Sequence, residues 1–167
     1  MKILQALKKI KKLDRKIEKY QRRIQKYCSF IVEPEDPPPA YSSEDIRRMQ
    51  QAVADLLSEK VRIRVALHLT NVKTSLNYCG RNYTIDELLL LQNVDIPERI
   101  KTLKLLRRRE KGGVYRDEHS KQARVVIQYD PRERDKVIEE LEDALSALDD
   151  LLDNANIETD VIGLFGE

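Results

Sequence analysis

An isoleucine returns every seven residues at the start of this chain, at Ile3, Ile10, Ile17, Ile24 and Ile31, with Ala6, Leu13, Tyr20 and Tyr27 three places after the first four. Nearly everything between them is Lys, Arg or Gln. The spacing predicts one helix over residues 2–31. A straight α-helix at 3.6 residues per turn would let a seven-residue stripe drift around its surface, so holding the stripe in line favours coiling against a partner helix. Helix pairing therefore dominates what this chain can fold into.

The second constraint is charge. Residues 2–26 hold eleven Lys or Arg against Asp14 and Glu18, a net of +9, whereas residues 131–160 carry a net of −8. The acidic segment has its own heptad stripe, Ile138, Leu141, Leu145, Leu148 and Leu152, and a clear start, with Asp130 as cap and Pro131 in the first turn. Two oppositely charged heptad helices point to each other as partners, in one chain or between chains. Charge here selects the partner more than it stabilises the pair. The pairing residues expected are Ile3, Ile10, Leu13, Ile17 and Ile24 on one side and Ile138 to Leu152 on the other.

Between these ends, Pro34 and Pro37 to Pro39 make residues 32–42 a linker. A helix over 43–76 follows, opened by Ser42 or Ser43 with Asp45, and striped by Ile46, Met49, Val53, Leu56, Ile63 and Leu67. Residues 75–84 read as a glycine-centred turn between two short arms. Thr84 and Glu87 have capping-box spacing and open a helix over 85–110, with a kink expected near Pro97. Residues 123–129 read as a strand paired with the 75–84 arms, 131–156 as the acidic helix and 157–167 as a tail. The fold class expected is mainly α: one domain, an antiparallel coiled-coil-like bundle of about four helices with a small β-hairpin or sheet at one end.

No catalytic or metal site is expected, and no cofactor. GxGxxG, GxxxxGK[ST], GxSxG and HExxH are absent, and His68, His119, Cys28 and Cys79 have no metal-ligand spacing. Asp149, Asp150 and Asp153 read as a solvated helix face. The longest aliphatic run, Leu88 to Leu91, is far below the ~20 residues of a membrane span, so a soluble, cytoplasmic protein is expected, or a virion component if the gene is viral. A basic helix of this density could bind nucleic acid. However, its charges surround the helix and no aromatic stacking pattern accompanies them, so any such binding is expected to be weak and non-specific.

The most distinctive polar stretch is "HLTNVKTSLNYCGRNYTIDE", residues 68–87. Thr70, Asn71, Thr74, Gly80, Arg81, Thr84 and Glu87, followed by helix, strand, acidic helix and a tail with Asn156 and Thr159, give an order that resembles the small bacterial helical proteins labelled septicolysin. The chain departs from them at Asn93 to Pro97 and in its proline-rich linker. The resemblance implies a helical hairpin fold and self-association, with no catalytic role attached. Asn71, Thr74, Gly80, Arg81, Thr84 and Glu87 form the one candidate polar site, with a structural role weighed as the stronger reading. In the tail, Ile162, Leu164 and Phe165 would anchor on a neighbouring subunit. The function expected is thus a non-catalytic, self-associating structural protein, a subunit of a larger complex such as a phage virion or tail-like particle. The alternatives are a free-standing bacterial homo-oligomer and a nucleic-acid binder using the basic helix.

Overall fold

The computed structural model describes residues 1–29, 31, 39–106 and 127–163. Among these the chain is mainly α, with four helical stretches and a two-stranded hairpin: α1 (Ile3–Tyr27), α2 (Ser43–Lys73), β1 (Ser75–Tyr78), β2 (Arg81–Thr84), α3 (Ile85–Leu90) running through a π turn (Leu91–Asp95) into α4 (Ile96–Leu105), and α5 (Pro131–Glu158). Where the sequence reads as one domain, the contacts divide it into two compact units, residues 1–74 with 155–167, and residues 75–154.

In the first unit α1 lies on α2, antiparallel: Lys9 meets Glu59 at 2.6 Å towards one end, and the Tyr27 and Tyr41 rings sit 4.7 Å apart at the other. The heptad stripe does supply the buried face, as Ile3, Ala6, Ile10, Leu13 and Ile17 are all buried, but Ile24 is only half-buried and Ile31 is 91% exposed. The stripe thus outlasts its packing by two heptads, and the helix ends at Tyr27 instead of 31. Within its unit α1 packs on the next helix in sequence, as consecutive elements usually do. The interhelical ion pairs also run to α2, Lys9 to Glu59 and Asp14 to Lys60 at 2.5 Å.

The N-terminus of α2 is capped reciprocally. Ser42 Oγ accepts the Asp45 N–H at 3.1 Å, and the Asp45 carboxylate accepts the Ser42 hydroxyl at 2.7 Å and the Ser42 N–H at 3.0 Å; the hydroxyl first, then the N–H, hold Asp45 below its usual carboxylate range. Met49, Ile63, Ala66, Leu67 and Thr70 form its buried row. Residues 159–162 close the unit. Thr159 O accepts the Ile3 N–H at 3.0 Å, Val161 N–H donates to Met1 O at 2.8 Å, and Ile162 N–H donates to the buried Thr70 hydroxyl at 2.9 Å.

In the second unit β1 and β2 pair with each other through a two-residue turn, Cys79 at φ 50° and Gly80 at φ 77°. Two positive φ values are what a type I′ hairpin needs, and only the glycine adopts one without strain. Of the sheet expected between the 75–84 arms and residues 123–129, the arms pair with one another, residues 127–129 are not strand, and 123–126 lie outside the described residues. Thr84 and Glu87 form the foreseen capping box, with the Thr84 N–H on the Glu87 carboxylate at 2.7 Å.

The feature near Pro97 is a π turn, not a break. Ile96 N–H reaches back five residues to Leu91 O, and the Asn93 side-chain amide donates to Leu89 O at 2.8 Å. The extra residue lets the helix pass a proline that cannot donate. Helix is described as far as Leu105; the continuation expected to 110 lies outside the described residues. Ile85, Leu88, Ile96 and Ile100, with Ile138, Leu141, Leu148 and Leu152 of α5, are the buried hydrophobic residues here, and Leu145 is half-buried. Tyr78 Oη donates to Ala144 O at 3.3 Å, and Lys104 pairs with Glu142 at 3.0 Å.

Candidate functional site

A helix carrying only one packing face should be polar on the other. The α2 helix is not. Leu57, Val61, Val65, Leu69 and Val72 follow one another at steps of four, four, four and three, all exposed, Val61 at 59% and Val65 at 55%. At 100° per residue this row lies opposite the row of Met49, Ile63 and Leu67. Ala54, Ser58 and His68 share it, and no charged side chain interrupts it. From Leu57 to Val72 the row runs for about 22 Å at 1.5 Å per residue. Contiguous aliphatic surface of this kind marks an interaction face, whereas singly scattered leucines do not.

The basic exterior of α1 is the second surface. With its apolar stripe spent on α2, most of its cations point to solvent. Of those in residues 8–26, Lys9 has an ion pair to another helix, Arg22 has one with Glu18 one turn away at 2.5 Å, and no other ion pair is made among the described residues. An open groove of about 410 Å³ at the far end of the helix is lined by Arg15, Glu18, Lys19, Arg22, Arg23, Lys26, Tyr27 and Tyr41. A second, of about 420 Å³, shares Lys19 and Arg23 and adds Lys16, Tyr20 and Leu56. The Lys26 ammonium lies 5.2 Å from the Tyr27 ring centroid.

The polar stretch selected from sequence divides between the two units, Asn71 and Thr74 in one and Gly80 to Glu87 in the other. Thr84 and Glu87 are joined as a helix cap, and the Thr84 backbone N–H, then its hydroxyl, hold the Glu87 carboxyl below its usual range. Gly80 forms the turn, and exposed Arg81 stands opposite Tyr78 in the hairpin. Asn71 and Thr74 belong to the end of α2, where Thr74 N–H closes the helix on Thr70 O at 2.9 Å. Each is used locally. In the tail, Ile162 is exposed and its neighbour Val161 is buried; Leu164 and Phe165 lie outside the described residues. Asp160, between them and the chain start, accepts Lys2 Nζ at 2.6 Å and faces the Met1 amino group at 3.4 Å, and the Lys2 contact is the main cause of its lowered pKa. Residues 159–161 are therefore engaged by the chain itself.

His68 is exposed on the outer α2 row; His119 lies outside the described residues. Asp149, Asp150 and Asp153 are exposed, with Asp149 accepting from the Gln92 side chain. Among the described residues no group of three or more His, Cys, Asp or Glu is placed to hold a metal ion, and no helix is long and apolar enough to cross a membrane. No family model, curated protein or solved structure matches the chain.

Sequence reading missed the outer α2 row because α2 is aliphatic on two sides, and only one of its two phases was followed. The step of four from Leu57 to Leu69 was the available signal.

Proposed function

We propose that this chain is a non-catalytic helical assembly protein that associates with a second copy of itself through the outer face of α2. The observation that supports this most is the uncharged, exposed row Leu57, Val61, Val65, Leu69 and Val72. The row is also self-complementary. Laid antiparallel on its copy with Val65 on the two-fold axis, it sets Leu57 opposite Val72 and Val61 opposite Leu69, an isologous arrangement. On one flank Asp55 then lies beside Lys73 of the partner, twice over by symmetry. On the other flank Arg64 meets its own copy near the axis, where its long side chain can reach water. A single helix face of this length falls short of the ~800 Å² per partner of a standard stable interface, so the dimer is a concentration-dependent one. Self-association is also what the resemblance to the septicolysin-labelled proteins implies.

Sedimentation velocity across a micromolar concentration series tests the reading. The wild-type chain should pass from monomer to dimer, and V61E/V65E should stay monomeric with an unchanged helical circular dichroism spectrum. A wild-type chain that is monomeric throughout, or a double variant that still dimerises, refutes it.

A further inference from the structure

The geometry points to a binding track for single-stranded nucleic acid along the basic flank of α1, independent of the α2 face. Two features of the sequence argued against nucleic acid: charges that surround the helix, and a lack of aromatic partners for them. The fold supplies the aromatic partners. Lys16, Tyr20, Arg23 and Tyr27 stand at steps of four, three and four, so bases and tyrosines alternate along one row of the helix. Tyr41, 14 residues beyond Tyr27, is brought back against it, the two rings 4.7 Å apart and tilted by 48°. All three tyrosines are half-buried. Around them, Arg15, Lys19 and Lys26 have no carboxylate partner among the described residues; of the two acids lining the two grooves, Glu18 is occupied by Arg22 and Asp55 accepts from the Gln51 side chain at 2.9 Å.

This combination is specific in kind. A positively charged track recruits any polyanion; half-buried tyrosines between the charges add a flat apolar partner that an unpaired base can use and a paired one cannot. Duplexes hide base faces, and lipid headgroups or acidic peptides have none. No donor or acceptor set for reading base edges is present, so the track would bind without sequence preference. The ligand class is a short single-stranded segment, engaged by phosphate contacts to Arg15, Lys19, Arg23 and Lys26 and by stacking on Tyr20, Tyr27 or Tyr41.

The test is fluorescence polarisation of the full chain with a labelled oligothymidine of about 15 nucleotides. Four or five phosphate contacts should give a log–log salt slope of about −3. R23E/K26E, both changes on the exposed surface, should reduce affinity at least tenfold and flatten the slope. Y27A and Y41A should each weaken binding about tenfold and leave the slope unchanged, while Y27F should bind as the wild type does. Circular dichroism of each variant confirms folding, and Tyr41, outside any helix, keeps the test valid if Y27A loses helix. The proposal falls if the oligonucleotide is not bound, or if Y41A and Y27A bind as tightly as wild type. It falls equally if a duplex of the same length binds as well, or if anionic vesicles bind and the oligonucleotide does not.

Discussion

Replacing Thr70 by Val asks what holds residues 159–162 against α2. Thr70 is fully buried, and its hydroxyl makes two hydrogen bonds, donating to Ala66 O at 2.8 Å and accepting from Ile162 N–H at 2.9 Å. Valine keeps the shape and removes only the polar atom, so no cavity term enters. The two lost bonds are not equivalent. Ala66 O retains its helical partner, the Thr70 N–H, whereas Ile162 N–H has no other acceptor among the described residues. A buried donor left without a partner costs about 1–3 kcal/mol. Ile162 is 41% exposed, so water can reach its amide, which sets the loss near the lower bound, about 1 kcal/mol. With a urea m-value of about 2 kcal/mol per M, the midpoint moves by about 0.5 M. The decisive readout is local: amide exchange at Ile162 should accelerate about fivefold in T70V, and T70S, which keeps the hydroxyl, should leave it unchanged. If the Val variant exchanges at the wild-type rate, the Thr70 contact does not hold this segment.

Two further outcomes follow from the same geometry. Leu148 is 0% exposed, and Leu148→Ala should destabilise the chain by about 3 kcal/mol in urea unfolding, clearly more than Leu145→Ala at a half-buried position of the same helix; equal losses would contradict the burial pattern. Reversing Lys9 to Glu should cost only some tenths of a kcal/mol, because both members of the Lys9–Glu59 pair are substantially exposed, and rescue should come from E59K and not from any acid of α5. The Lys9 hydrogen bond holds Glu59 below its ordinary value of 4.5, so the pair's contribution is present above that pH and fades as pH falls through the lowered value. Thermal midpoints of wild type and K9Q should therefore converge in acid; a gap that widens there would reverse the sign of the argument.

What could be read in advance was local. The capping boxes at Ser42 and Thr84, the proline start of α5 and the period of α1 each depend on residues within one or two turns, and the chain obeys them. Choices between partners were harder. Ion pairs between exposed side chains are too weak to set topology, and within its unit α1 packs on the aliphatic row of Met49 and Ile63, which no charge pattern singled out. The hairpin too was legible as a glycine-centred turn between two short arms, although Cys79, a residue type seldom found at positive φ, gives no signal of the two-residue loop. Pro97 was read as a disruption, since nothing in the sequence shows that the helix can absorb it with one extra residue. The candidate surfaces divide likewise. The basic charge of α1 was plain from composition, whereas the Tyr27–Tyr41 pair needs the chain reversal that brings them together.

The two cysteines fall one to each compact unit, Cys28 just past the end of α1 and Cys79 at the hairpin tip, and both are exposed. The molecule thus carries its own pair of attachment points for a spectroscopic ruler. Maleimide dyes or nitroxides placed on the two thiols would report the distribution of distances between the units without altering any buried residue. A single narrow distance would mean that they move as one body, a broad one that they swing. The same labels followed through a denaturant titration would show whether the two units melt together or in turn.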